Sequence, residues 1–183
     1  MYQSAVRQLI ADRYASVHDA RPAIDYPSYC VIDGPEGPRA ALGYRRADEG
    51  TLFLERYLDR PIELILGHQL GRPVARRNIV EIGDHASAQP QATVALWAAA
   101  AELLKDEADI AVAVVTAPLR SMFRRIGLTF HEIAPACSER LGRHAADWGD
   151  YYAADPVVCA GDITAGHARL MRWCQPTTGG ASR

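Results

Sequence analysis

Several things are scarce in this sequence, and each scarcity removes a class of function. Long apolar runs are missing: the longest, residues 94–101, has eight residues, whereas a membrane-spanning helix needs about 20. A basic excess is missing too, with 20 Lys and Arg against 22 Asp and Glu and a net charge of −2, so no nucleic-acid-binding face is expected. The Arg pairs at 45–46, 76–77 and 124–125 each have acidic residues nearby in sequence. The four cysteines, Cys30, Cys137, Cys159 and Cys174, form no C-x-x-C pair, and zinc-site spacing is absent. His18, His68, His131, His144 and His167 make no H-x-H or H-x-x-x-H pair, so no metal is expected. Residues 1–20 carry Arg7, Asp12, Arg13 and Asp19 and leave no apolar stretch for an export signal. The expectation is a cytoplasmic protein with reduced thiols.

What the chain does have is a succession of amphipathic and apolar segments. At 183 residues and 49% hydrophobic it can bury a continuous core. One domain is expected over residues 1–174, followed by a flexible tail at 175–183, QPTTGGASR. Val6, Leu9, Ile10 and Tyr14 recur at helical spacing within residues 3–15, with Ser4 as a cap. SYCVID (28–33) and AALGYRR (40–46) flank the turn-forming GPEGP and read as an antiparallel hairpin. Residues 52–66 begin as an amphipathic segment, but Pro61 breaks any single long helix. A strand is expected at 77–83, then a helix at about 91–106, apolar almost all round and therefore buried against a sheet. IAVAVVTA (110–117) reads as a central parallel strand. The two strands should lie side by side, with the helix as their crossover, and splay near Gly83 and Thr116. Pro118 opens a short helix ended by Gly127. A strand near 128–133, a polar helical stretch to Trp148 and a last strand in PVVCAGDI complete the chain.

One stretch resists a purely structural reading. In RRNIVEIGDHASAQPQ (76–91) the strand residues Ile79, Val80 and Ile82 are interrupted by Glu81, Asp84 and His85, three ionisable groups within five positions. Burying such groups is costly, so the segment is a candidate site. Glu81 is a candidate general base whose pKa burial would raise; His85 is another, because its ordinary pKa lies nearest neutrality. Strand alternation also allows Glu81 to face solvent, and Asp84 and His85 can be turn residues. Gly83 suits a bulge, where the N–H groups of Ile82, Gly83 and Asp84 would hold an oxygen. Trp148, Tyr151 and Tyr152 are either core or the wall of a binding site with a Tyr hydroxyl as donor. Arg120, Arg124 and Arg125 flank the apolar positions of the short helix, as a solvated face or a phosphate-binding one.

Phe123-Arg124-Arg125-Ile126-Gly127-Leu128 has the F/Y-x-x-x-G-F/L form that ends a helix in the GNAT acyltransferase superfamily, and it stands in the same succession of elements. A fuller match runs over most of the chain. LFLERYL (52–58), PIE (61–63), RRNIVEIGDHAS (76–87), FRRIGL (123–128) and WGDYY…P.V..G (148–161), in that order, resemble the thermostable hemolysin family. RRNIVEIGDHAS is also similar to the strand of acyl-homoserine-lactone synthases that carries V-x-E-x-x-R-F, whose Glu assists amine attack on an acyl-carrier thioester. Glu81 matches that Glu, and His85 stands near the Arg-Phe pair.

The resemblance implies an α/β fold of the mixed α+β kind: a GNAT-like central sheet, mostly antiparallel, splayed at two parallel strands, with helices on both faces. It implies transfer of a fatty-acyl group from a thioester to the amine of a small molecule such as an amino-acid derivative. The donor is acyl-CoA or the phosphopantetheine arm of an acyl-carrier protein, with no permanently bound cofactor. Glu81 and His85 become the catalytic candidates. Ile82, Gly83, Asp84, Gln89, Thr116 and Phe123 become donor-binding, and Arg76, Trp148, Tyr151 and Tyr152 substrate-binding. A homodimer is admitted; nucleic-acid and integral membrane contacts are not expected. The chain departs from CoA-dependent relatives twice: residues 87–92 hold no glycine, where many have a glycine-rich phosphate loop, and Phe123 stands where many have a Tyr acid. Those departures favour a competing reading, a scaffold without the chemistry. A lytic protein, as the family name says, is a third reading, against which stands the lack of a spanning segment or basic amphipathic helix.

Overall fold

The computed structural model describes residues 2–23, 26–87 and 89–174; the expected tail at 175–183 lies outside them. The apolar spacing of the N-terminal segment forms α1 (Tyr2–His18), which buries Val6, Ile10 and Tyr14. The hairpin is β1 (Ser28–Gly34) and β2 (Gly37–Arg46), paired antiparallel. Pro61 caps α2 (Ile62–Leu70), so the break expected at that proline is where the helix starts. Then come β3 (Ile79–Ser87), α3 (Pro90–Leu104), β4 (Ile110–Val115) and α4 (Ala117–Arg125). The chain continues through β5 (His131–Pro135), β6 (Val157–Asp162) and α5 (Ile163–Cys174).

Six strands make one sheet in the order β1-β2-β3-β4-β6-β5. Only β3 and β4 pair in parallel, with α3 as their crossover; every other neighbouring pair is antiparallel. The sheet separates two apolar cores. One collects Val6 and Ile10 of α1, Ile62 and Leu66 of α2, and Ile79 of β3. The other collects Leu96 and Ala100 of α3, Phe123 of α4, Leu170 of α5, and Val80 and Ile82 of β3. Alternation along β3 therefore feeds both cores, which accounts for its apolar composition.

Four sequence expectations shift. The strand expected at 77–83 runs on to Ser87, so Asp84 and His85 are strand residues and not a turn. The strand expected at 128–133 starts at His131, because Gly127, at φ 72°, and the N–H of Leu128 bonded to the Phe123 carbonyl wrap the end of α4. The polar helical stretch to Trp148 consists of 3-10 turns broken at Gly142, where φ is 56°. Finally, the strand expected in PVVCAGDI stops at Asp162, and Ile163–Cys174, with no element expected beyond Ile163, forms α5. Asp162 accepts the N–H of Ala165 at 2.7 Å and starts that helix.

Candidate active site

The parallel pair is hydrogen-bonded only from Ile79↔Ile110 to Ile82↔Ala113. Beyond that point β3 follows β2 to Ser87, and β4 follows β6 to Val115, so the two strands part. A bulge marks the parting on β3. Gly43 faces Gly83 and Ala41 faces Ala86, which leaves both Asp84 and His85 opposite Leu42. Asp84 takes φ 49°, a left-handed conformation that Asp tolerates better than most residues. Gly83 is required for a different reason. Tyr26 lies over the Gly43–Gly83 pair, and a Cβ on Gly83 would sit 2.1 Å from its hydroxyl oxygen. The opening holds a cleft of about 390 Å³ between the second half of α1 and the N-termini of α3 and α4.

On the α1 face of the split lies a small chamber lined by Tyr14, Tyr26, Phe53, Trp148 and Tyr151 together with Glu81 and Asp84. Both carboxylates are buried, Glu81 at 1% exposure and Asp84 at 5%, which rules out the solvent-facing alternative for Glu81. The Glu81 oxygens accept the N–H of Leu54 at 2.7 Å and of Phe53 at 3.0 Å. Burial raises the Glu81 pKa, and those two N–H donors and Arg45 only partly oppose it. Burial, reinforced by the charges of Glu81 and Asp84, also keeps Tyr26 protonated well above its ordinary range. The chamber thus combines aromatic walls with two carboxylates, a setting that attracts a cationic amine.

On the other face, an apolar pocket of about 70 Å³ lies between the sheet and α3, α4 and α5. Its lining includes Ala101, Ala111, Phe123, Phe130 and Leu170. It shares Ile82, Trp97 and Ala113 with the cleft, so the two spaces meet at those residues. Phe123 packs edge-on against Trp97 with centroids 4.9 Å apart. His85 turns toward Trp97, with centroids 6.2 Å apart. Burial, and then the charge of Arg13, lowers its pKa to about 4.

The outer cleft is polar. Arg13 of α1 and Arg125 of α4 line it and are exposed, and their guanidinium groups make no hydrogen bond or ion pair to other described residues. Thr116, at the start of α4, and Gln89, at the start of α3, also line it. Gln89 gives α3 no side-chain cap and accepts Arg39 at 2.9 Å instead, while Pro90 fills the first turn. Backbone N–H groups at that end therefore face the cleft without side-chain partners. Among the described residues no group of three His, Cys, Asp or Glu is placed to hold a metal, and no helix is long and apolar enough to cross a membrane.

The structure gathers Glu81, Ile82, Gly83, Asp84, His85, Gln89 and Thr116 around one opening, with Phe123 behind it in the apolar pocket. Others fall elsewhere. Arg76 lies outside the cleft, bonded to Glu55 and Glu63 at 2.7 Å each and to the Ala47 and Gly50 carbonyls; its donors are spent on tying α2 to the loop after β2. Trp148 and Tyr151 stand in the chamber on the α1 face, Tyr151 also lining the cleft, and neither lines the apolar pocket. Tyr152 pairs its hydroxyl with Tyr57 at 2.7 Å, outside both spaces. Arg120 is buried, bonded to the Val115 and Asp155 carbonyls and to the Asp155 carboxylate; only Arg125 of the three helix arginines reaches the cleft. Sequence reasoning missed Arg13, Tyr14, His18, Tyr26 and Trp97. Tyr14 and Trp97 read as ordinary members of apolar helix faces, and no local signal distinguishes them.

The pattern of the thermostable hemolysin family matches residues 2–167. No curated protein sequence matches the chain. Solved structures do. FeeM, an N-acyl amino acid synthase from uncultured soil microbes, is 14% identical with a TM-score of 0.60, over 91% of this chain and 94% of that one. TofI, in a ternary complex with an inhibitor and MTA, is 19% identical with a TM-score of 0.56, over 93% and 91%. BjaI, a CoA-dependent acyl-homoserine lactone synthase with SAM and isopentyl-CoA, is 14% identical with a TM-score of 0.56, over 96% and 85%. These likenesses establish a GNAT-like fold.

Proposed function

The chain belongs to the thermostable hemolysin family, and from its geometry we propose that it is an N-acyltransferase that moves a fatty-acyl group from a thioester to the amine of a small molecule. One observation carries this reading. Where β3 and β4 part, the cleft shares lining residues both with a carboxylate-bearing aromatic chamber on one face and with an apolar pocket on the other, and Ile82 borders all three. An amine and an acyl chain can thus enter from opposite faces and meet at Ile82 and Gly83.

In this reading the protonated amine enters the chamber beside Glu81 and Asp84. Glu81 takes a proton from it, directly or through one water; each carboxylate oxygen holds a second lone pair beyond the one bonded to Leu54 or Phe53. The freed nitrogen attacks the thioester carbon, a C–N bond forms, and the C–S bond breaks to release the thiolate. The nitrogen's second proton passes to that sulfur, which leaves for solvent as the thiol; Glu81 returns its own proton to solvent. N–H groups around the bulge at Ile82 to Asp84 face the carbonyl oxygen as charge develops on it. A thiolate is a good leaving group, so Phe123 in place of a Tyr acid does not block the step.

The donor's phosphate would lie between Arg13 and Arg125, near the N-terminus of α3. That group is common to CoA and to a carrier-protein arm, and the glycine-free segment 87–92 favours the latter at least as much. A cytoplasmic location suits either donor. An amino-acid derivative is the acceptor class in keeping with the FeeM likeness, and a surface-active N-acyl product would account for lysis under the family's name.

Incubation with panels of acyl-CoA and acyl-carrier thioesters and an amine pool, followed by product mass analysis, tests the proposal. It expects a new N-acyl amide that Glu81→Gln reduces. Absence of any amide from every donor, alongside direct lysis of cells by purified protein, would sink it.

A further inference from the structure

Where the cleft meets the apolar pocket, two polar atoms have no protein partner. His85 Nε2 and Trp97 Nε1 are both buried and make no hydrogen bond to the described residues, on rings whose centroids are 6.2 Å apart. Glu81 close by is satisfied by two backbone N–H groups, and two other buried nitrogens without a hydrogen bond still face a carboxylate, Arg120 Nε 3.2 Å from Glu132 and His167 Nε2 2.7 Å from Glu102. Leaving a buried donor unbonded is costly, so two at one junction point to a partner brought by the ligand.

The chemistry of the pair narrows that partner. Trp97 Nε1 can only donate; His85 Nε2 donates or accepts according to tautomer, and the ring is uncharged near pH 7 because burial lowers its pKa to about 4. An oxygen satisfies both, as a keto group accepting from both or a hydroxyl that also donates. Position narrows it further. The thioester carbonyl must stay at the split, within reach of the Glu81 side. Trp97 lies past the split, shared between cleft and apolar pocket, where the first carbons of the chain pass.

We propose that His85 and Trp97 select acyl donors carrying a hydroxyl or keto oxygen on the third carbon over saturated chains of equal length. This rests on the acyl-transfer reading of the same site. A site built to bond an oxygen discriminates strongly against a ligand without it, because its own polar atoms are then stranded.

The test uses the full chain and pantetheine-linked analogues with the thioester sulfur replaced by NH, matched in length and either saturated, 3-hydroxy, 3-oxo or 5-hydroxy. Calorimetry should give the 3-oxygenated analogues about 10-fold tighter binding or more, with the 5-hydroxy isomer no better than the saturated one. kcat/KM for the corresponding thioesters should follow the same order. Trp97→Phe keeps a ring against Phe123 and removes only the N–H; His85→Leu removes Nε2. Each should shrink the ratio between oxygenated and saturated ligands, and the double variant should bring it near one. Should the double variant fail to fold by circular dichroism, the ratio in Trp97→Phe alone decides. A wild-type ratio near one, as a water bridging the two atoms would give, or a ratio that survives removal of the N–H and Nε2, overturns the proposal. Preferential binding without acyl transfer would refute the transferase reading and leave the recognition standing; no binding of any analogue overturns both.

Discussion

Glu81 and His85 lie four positions apart on one strand and serve opposite faces of the sheet. Glu81 stands in a chamber of aromatic rings with both carboxylate oxygens bonded to backbone N–H groups. His85 turns to Trp97 with its Nε2 unbonded among the described residues. A regular strand would have placed residues 81, 83 and 85 on one side. The bulge at Asp84–His85 shifts the phase: Ile79 packs in the α1-side core and so does Ala86, an odd and an even position. One extra residue thus brings Asp84 beside Glu81 and sends His85 away. The two candidate bases therefore face different spaces, and in the proposed function only Glu81 stands beside the amine. The difference teaches that one extra residue gives the two faces of the split different chemistry, charged on one side and apolar on the other, the division of labour on which the proposed function rests.

The comparison breaks most visibly at Glu81. Glu81→Gln should lower kcat/KM for the amine by about 10²-fold or more. It should also lower stability by about 1–2 kcal/mol, because the amide NH2 cannot accept from Leu54 or Phe53 as the carboxylate does. Steady-state kinetics and urea melts measured together separate the two effects. Lost stability with full activity would reduce Glu81 to an anchor for the Phe53–Tyr57 turn. Next, Gly83→Ala should displace Tyr26, whose hydroxyl oxygen is 2.1 Å from the added Cβ, at a cost of about 1–3 kcal/mol. Amine KM should rise while the acyl-chain preference stays as it was; a change in chain preference would mean the faces are coupled.

The apolar side is probed from α3. Ala101→Phe narrows the pocket it lines, and kcat/KM for long acyl donors should fall about 10-fold relative to short ones. Equal losses for all chain lengths would show that the chain lies elsewhere.

The smallest effect is on pH. His85 has a folded pKa of about 4 against an ordinary 6.5, so the unfolded chain binds the proton first. Its contribution to stability is full above about pH 6.5 and is lost as pH falls from there through 4. His18, also lowered by burial, acts with the same sign. Urea midpoints from pH 7 to 4 should therefore decline less steeply in His85→Leu than in wild type, and identical slopes would contradict the burial of the ring.

Much of the frame was legible because it rests on local rules. The β-branched run Ile110–Val115, the Ala-rich α3, the Pro61 break and the Gly127 cap each follow from side-chain periodicity or backbone restriction, and the structure places each near its expected residues. The splay near Gly83 was legible too, since a glycine followed by two ionisable groups ends comfortable parallel pairing. What escaped was non-local. PVVCAGDI reads as one strand to its end; the structure stops it at Asp162, where the N–H of Ile163 bonds to the carbonyl of the distant Asp109 at 2.9 Å. Arg76 is expected to bind substrate; its partners in the structure, Glu55 and Glu63, stand 21 and 13 residues away in sequence.

By itself the sequence determined the order of elements, the parallel pair with its crossover helix, and the concentration of ionisable groups where that pair ends, because these depend on periods of two and 3.6 residues and on turn chemistry. Only the tertiary structure decided which face each group serves. That choice turns on a single extra residue in β3 and on rings delivered by α1 and α3 from distant parts of the chain. A shift of one position inverts every side chain beyond it, and Gly83 marks the neighbourhood of the bulge without fixing which of the residues after it faces which side.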